Sequence, residues 1–201
     1  AILWSYYAGM ETGNAFAKIL FGDVNPSGKL AETFPKRYED TATGRNGQFG
    51  VRGHIKLEEG LYYGYRHHDK ERIAPAFCFG HGLSYTTFEY SGLTMKAEKG
   101  KHVKLSFTVK NTGKREGAEV VQVYVAPIAA KVDRPVKELK AFDKVELAPG
   151  KSKKVTLTLR QEDFAYFDEH LHDFIADAGD YEILVGASCD DIRLKGIATL
   201  A

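Results

Sequence analysis

At 201 residues, 27% of them charged and 43% hydrophobic, the chain has the composition of one or two folded domains and not of a disordered segment. A net charge of +1, with acids and bases mixed and no basic block, argues against a nucleic-acid partner. No apolar run approaches the ~20 residues that a membrane-spanning helix requires.

The chain opens on the apolar run Ala1-Ile2-Leu3-Trp4, with no initiator methionine and no polar lead. Ala1–Ser5 reads as a buried strand of a parallel sheet, and the chain reads as cut from something longer. Glu11–Phe21 follows as a helix with Ala15, Phe16, Ile19 and Leu20 on one face, Thr12 or Asn14 available to cap it, and Gly22 at its end. After the turn cluster Asp23-Val24-Asn25-Pro26-Ser27-Gly28, Lys29–Phe34 reads as a second strand. Strand, helix and strand make an α/β fragment of fewer than ~40 residues, too small to bury its own core. The rest of such a sheet is expected upstream.

Tyr38–Gly53 is polar and glycine-rich and reads as a surface loop, the first candidate for disorder. Then comes Gly60–Tyr90, dense in Tyr62, Tyr63, Tyr65, Phe77, Phe79, Tyr85, Phe88 and Tyr90. A flexible linker carries few such rings, and burying each is worth a few kcal/mol at ~25 cal/mol per Å². This segment reads as a strap that fixes two bodies in one pose. His54–Leu57, just before it, and Leu61–Tyr65 within it have strand composition, Lys70–Ile73 reads as a turn, and Arg66 is expected to pair with a carboxylate of the strap.

From about Leu93 the period becomes two. Val103, Leu105, Phe107 and Val109 alternate with polar residues, and Val155, Leu157 and Leu159 do the same. Val121, Val123 and Val125 alternate with Val120, Gln122 and Tyr124, so both faces of that strand are partly apolar. With Val145–Leu147, Phe164–Phe167, Gly179–Ala187 and Ile192–Leu200, about seven short strands argue an immunoglobulin-sized β-sandwich. The expected division is 1–59 for the α/β end, 60–92 for the strap and 93–201 for the sandwich.

Four stretches resemble glycoside hydrolase family 3, the β-glucosidase and β-xylosidase family. AILWSYYAGMETGNAFAKILFGDVNPSGKLAETFP is similar to its strand, Gly-x-Glu-x-Gly helix start and Gly-Asp-x-Asn-Pro-Ser-Gly-Lys-Leu turn. EEGLYYGYRHHD and FGHGLSYTTFEYS resemble its Glu-Gly-x-Tyr-x-Gly-Tyr-Arg segment and its Phe-Gly-x-Gly-Leu-Ser-Tyr-Thr-x-Phe signature. VKNTGKREGAEVVQVYV with KELKAFDKVELAPGKSKKVTLTL resembles its fibronectin type III-like domain. The resemblance implies the C-terminal portion of a retaining β-glucosidase acting on terminal non-reducing β-D-glucosyl residues, partnered by the N-terminal part of the same enzyme and by a β-glucoside or oligosaccharide substrate. It implies a nucleophilic Asp and an acid/base Glu, neither of which has a matching position here. The alternative is a carbohydrate-binding or protein-interaction sandwich, which leaves homodimerisation open.

The residues themselves point the same way. Glu58 and Glu59 are neighbours that would diverge on a strand, as would Asp190 and Asp191, whereas retaining chemistry needs carboxylates ~5–5.5 Å apart. No catalytic residue is expected in this chain. For substrate contacts, the loop after the first strand offers Tyr6, Tyr7 and Glu11, with helix capping the structural reading of Glu11. The loop Arg45–Phe49 offers a second approach to a substrate cleft. No metal is expected, since His67-His68-Asp69 would diverge on a strand and His170-x-His172 reads as a solvated hairpin tip. No cofactor is expected either. Cys78 and Cys189 read as two isolated thiols, with a disulfide between them the other reading. Cytoplasmic, periplasmic and secreted locations all stay open.

Overall fold

A computed structural model describes residues 2–47, 50–98 and 102–200. Its C-terminal part is an antiparallel β-sandwich. One sheet has the strand order β1–β2–β5, from Phe88–Glu98, His102–Asn111 and Ser152–Leu159. The other has the order β4–β3–β8–β9, from Glu138–Leu147, Gly117–Pro127, Gly179–Gly186 and Ile192–Leu200. A short hairpin, β6 (Tyr166–Asp168) and β7 (Asp173–Ile175), stands apart from both and carries His170 and His172 in its turn. The expected order, a piece of an α/β domain followed by an immunoglobulin-like sandwich, is found, although of the strand–helix–strand expected in that piece only the helix forms.

The alternation in β2 does what its period predicts: Val103, Leu105, Phe107 and Val109 are all buried and face Val121, Val123, Val125, Val145, Ile183 and Val185 of the opposite sheet. In β3 both faces are buried, because the outer one is roofed by the strap. Tyr124, on that face, packs with Cys78, Ala126, Leu184 and Cys189 in a second cluster, against Tyr65 and Phe79. The expected strand over Phe164–Phe167 is instead a 3-10 turn, Gln161–Phe164, followed by β6. Asp163 accepts the Arg160 amide at 2.7 Å and tightens that turn, while Phe164 plugs the core edge-on to Tyr181 at 5.0 Å.

N-terminal to the sandwich, helix α1 spans Thr12–Leu20 as expected, and Gly22 follows at φ +81 in the left-handed region. The flanking strands do not form. Ile2, Leu3 and Trp4 are exposed and unladdered, and Ala1 lies outside the described residues. A strand exists only by pairing, and no neighbouring strand lies beside residues 2–5 among the described residues. Residues 30–34 pair irregularly with the strap instead. Leu30 donates to His81 O at 2.8 Å and accepts from the Gly80 amide at 2.8 Å, and Phe34 forms a single antiparallel bridge with Phe77.

The region expected to be a disordered loop is partly ordered: a 3-10 turn, Tyr38–Asp40, leads into α2, Ala42–Arg45, capped by Thr41 Oγ1 accepting from the Gly44 amide at 2.9 Å. Gln48 and Phe49, the end of the proposed cleft loop, lie outside the described residues. Neither His54–Leu57 nor Leu61–Tyr65 is a strand. The strap instead contains helix α3, Tyr65–Glu71, entered through Gly64 at φ +56 and left through Arg72 at φ +55. His67 and His68 therefore sit on a helix and are buried, not on a strand.

Candidate functional site

The seam between the strap and the outer face of β3 is built from packed rings and buried hydrogen bonds. Tyr65, the first residue of α3, stacks on Phe79 at 5.0 Å and meets Tyr124 edge-on at 6.0 Å. Its hydroxyl accepts the Leu139 amide at 2.9 Å. Below it, Tyr124 donates to Gln122 Oε1 at 2.6 Å, and Gln122 Nε2 donates to Gly80 O at 3.2 Å and Ala187 O at 2.7 Å. A Cβ at Gly80 would lie 2.1 Å from that amide oxygen, so only glycine lets the strap approach this closely. Arg66 pairs at 3.0 Å with Glu138 of β4, across the seam and not within the strap as expected.

Further pins join the N-terminal part to the sandwich. Asn25 donates to Glu116 O at 2.9 Å and accepts from Ser84 and the Tyr85 amide at 3.0 and 2.8 Å. Lys29 reaches the buried Glu119 at 3.4 Å, which also accepts from Tyr90 at 3.0 Å. Burial and the Glu119 charge push the Tyr90 phenol well above its ordinary range. The strap is fastened by packing and by satisfied buried polar groups together.

Two cavities flank α3. One, of about 330 Å³, lies beside Glu32, Thr41, Tyr63, Arg66 and His67. His67 Nε2 is buried there without a hydrogen-bond partner, and burial pulls the imidazole below its ordinary value. The other, of about 290 Å³, is walled by His68, Asp69, Arg72, Cys78, Cys189 and Asp190. Asp69 and Lys137 form an ion pair of 2.7 Å at this seam, with side chains only 14% and 12% exposed. Burial raises the Asp69 carboxyl above the usual carboxylate range, and Lys137 opposes that rise. A folded-state pKa above the unfolded one means that Asp69 favours folding least once it is ionised, as pH climbs from ~4 through its folded value. Lys137→Met should therefore destabilise the protein by about 2 kcal/mol at neutral pH, and by less at an acidic pH low enough to protonate Asp69. Denaturant titrations at the two pH values check this.

Cys78 and Cys189 are free and buried, but they are not isolated. Their sulfurs and a carboxylate oxygen of Asp190 all lie within 4.8 Å of one another. The neighbouring Cys189 thiol, outweighing burial, brings Cys78 down to about 6, and the same contact with burial pushes Cys189 up. No spacing rule could have paired residues in a strap and in a turn after β8.

Tyr6, Tyr7 and Glu11 lie together before α1, and all three are exposed. Tyr6 takes φ +49, a conformation most side chains avoid, and stands edge-on to Trp4 at 5.5 Å. Trp4 in turn meets Phe34 at 5.2 Å and Phe34 meets Phe77 at 6.5 Å, so a row of rings runs from this loop to the strap. Glu11 occupies the N-cap position without capping; its carboxylate accepts from Asn14 Nδ2 at 2.6 Å. Glu58 and Glu59 fall in a turn and Asp190 and Asp191 in a bend; Asp191 is held by Arg193 at 2.8 Å. These pairs have no common target.

Comparison with known proteins agrees with this architecture part by part. The family model described as glycosyl hydrolase family 3 C-terminal domain matches residues 1–85, and that described as fibronectin type III-like domain matches residues 119–189. Thermostable beta-glucosidase B of Acetivibrio thermocellus is 44% identical over 198 residues, covering 97% of this chain and 26% of that protein. A beta-glucosidase of Rhizobium radiobacter is 45% identical over 201 residues, covering 96% of this chain and 24% of that protein. Among solved structures, a GH3 beta-glucosidase of Bifidobacterium adolescentis superposes with a TM-score of 0.89 at 41% identity, over 94% of this chain and 28% of that one. Beta-glucosidase 3B of Thermotoga neapolitana, solved with α-D-glucose, gives 0.87 at 42% identity, over 94% of this chain and 26% of that one. The chain spans about a quarter of the length of the relatives it matches. The chain is similar to the C-terminal part of glycoside hydrolase family 3 beta-glucosidases, through that family's C-terminal domain over residues 1–85 and a fibronectin type III-like domain over residues 119–189.

Proposed function

We propose that this chain is the C-terminal, structural portion of a retaining β-glucosidase and contributes no catalytic carboxylate of its own. The observation that carries the reading is the identity of 44–45% to proteins named beta-glucosidases, sustained over nearly the whole chain. Geometry supports it. Of the described carboxylates that line the two cavities, Asp69 is paired with Lys137, Asp190 lies against the Cys189 thiol, and Glu32 has no second carboxylate beside it in its cavity's lining. The face around α1 exposes Met10, Leu20 and Phe21 beside Ile2, Trp4 and Tyr7, and the helix has no buried residue. So many exposed apolar side chains suit docking of the remainder of the α/β domain.

In this reading the partner is the N-terminal part of the same enzyme and the substrate a β-glucoside or oligosaccharide. The division at 1–59, 60–92 and 93–201 separates the docking end, the strap and the sandwich. Tyr6, Tyr7 and Glu11, on the loop at that docking end, are the residues of this chain that approach substrate. The complete polypeptide should hydrolyse a nitrophenyl β-D-glucoside and release β-glucose first, as proton NMR would show, while the 201-residue chain alone gives no turnover. Turnover by the chain alone, or first release of α-glucose by the complete polypeptide, would overturn the proposal.

A further inference from the structure

Cys78 and Cys189 are 111 positions apart, yet the fold sets both thiols and Asp190 on the wall of one cavity of about 290 Å³. We infer that Cys78, Cys189 and Asp190 form a binding site for a thiophilic divalent cation, zinc being the ion whose preferences they match. The three ligand atoms fall within 4.8 Å of one another, and Cys189 Sγ stands 3.8 Å from Asp190 Oδ1. In a tetrahedral zinc site with Zn–S near 2.3 Å, two sulfurs sit about 3.8 Å apart, so the observed spacing needs only a small contraction. Two thiolates and a carboxylate leave one tetrahedral position, which faces a cavity with room for water.

The surrounding structure positions these ligands. Ser188 Oγ accepts the amides of Asp190 and Asp191 at 3.3 and 2.9 Å and lies 3.3 Å from Cys78 Sγ. That clamp fixes the bend in which Cys189 and Asp190 present their side chains. On the other side Cys189 N donates to Phe79 O at 3.1 Å, which ties the bend to the strap next to Cys78. Lys137, paired with Asp69 at 2.7 Å, neutralises that neighbouring carboxylate, so Asp69 adds no net charge beside the three anionic ligands. Both sulfurs bind as thiolates, any remaining thiol proton leaving to solvent as its sulfur–metal bond forms, with no change of oxidation state. The metal would join strap and sandwich at a point where no hydrophobic contact could be as directional.

The test is a titration of the complete polypeptide, reduced and freed of metal by a chelator, with cobalt(II). The wild type should bind one equivalent at this site, with tetrahedral ligand-field bands and a sulfur-to-cobalt charge-transfer band. Each cysteine variant, Cys78→Ser or Cys189→Ser, should lose about half of that charge-transfer intensity and bind at least tenfold more weakly. Asp190→Asn, an exposed change that spares the core, should keep the charge-transfer band and weaken binding. Zinc should displace the cobalt. Absence of the band in the wild type, its persistence unchanged in both cysteine variants, or oxidation to a Cys78–Cys189 disulfide as fast with zinc as without would each overturn the inference.

Discussion

Replacing Asn111 by alanine should lower the stability of the sandwich by about 4 kcal/mol, the largest effect expected of any single side chain here. Asn111 is fully buried and uses its whole amide. Nδ2 donates to Arg115 O and to Leu147 O, each at 2.8 Å. Oδ1 accepts from Thr86 Oγ1 at 2.7 Å and from the Gly113 amide at 3.0 Å. One side chain therefore satisfies groups from the end of the strap, the β2–β3 turn and the end of β4. Each buried group left without a partner costs about 1–3 kcal/mol, and water entering the small void recovers part of that. The urea midpoint of the sandwich transition is the measurement. Thr112→Ala, next in sequence but exposed, should move it by no more than about 0.5 kcal/mol.

Tyr65→Ala should cost nearly as much, about 4 kcal/mol, by leaving a ring-sized hole between Phe79 and Tyr124. Tyr65→Phe keeps the ring and removes only the acceptor for the Leu139 amide, so its cost should stay near 1 kcal/mol. The contrast separates packing from hydrogen bonding at the seam. Hydrogen exchange at Leu139 reports both: accelerated modestly by the phenylalanine, and to the level of local unfolding by the alanine. Equal behaviour of the two variants would mean that the strap is held elsewhere.

How legible this molecule was in its sequence varied with the range of the contacts concerned. The period-two stretches became strands because a sheet with one buried face demands that pattern, and β2 shows it without exception. The doubly apolar reading of β3 also held, and the strap over Gln122 and Tyr124 supplies its cause. Helix α3 was missed, its first residue falling in the expected strand Leu61–Tyr65 and its end in the expected turn Lys70–Ile73; Gly64 and the burial of Tyr65 against β3 override the local preference of the β-formers before it. The missing ladders at residues 2–5 and 29–34 follow from the same rule in reverse, because strand-forming residues need a neighbour to pair with. At the seam, the aromatic glue was legible for Tyr65 and Phe79. The Asp69–Lys137 pair and the Cys78–Cys189–Asp190 cluster were not, since their members come from segments that only the folded topology brings together.

The most direct check of the central claim is turnover of an aryl β-glucoside by the complete polypeptide bearing Glu58→Gln, Glu59→Gln or Asp69→Asn, each made singly. The account predicts that each variant stays within about tenfold of the parent, since the proposed function assigns none of these carboxylates to the reacting sugar. A loss on the order of 10⁴-fold in any one of them, with the fold intact by circular dichroism, would contradict it.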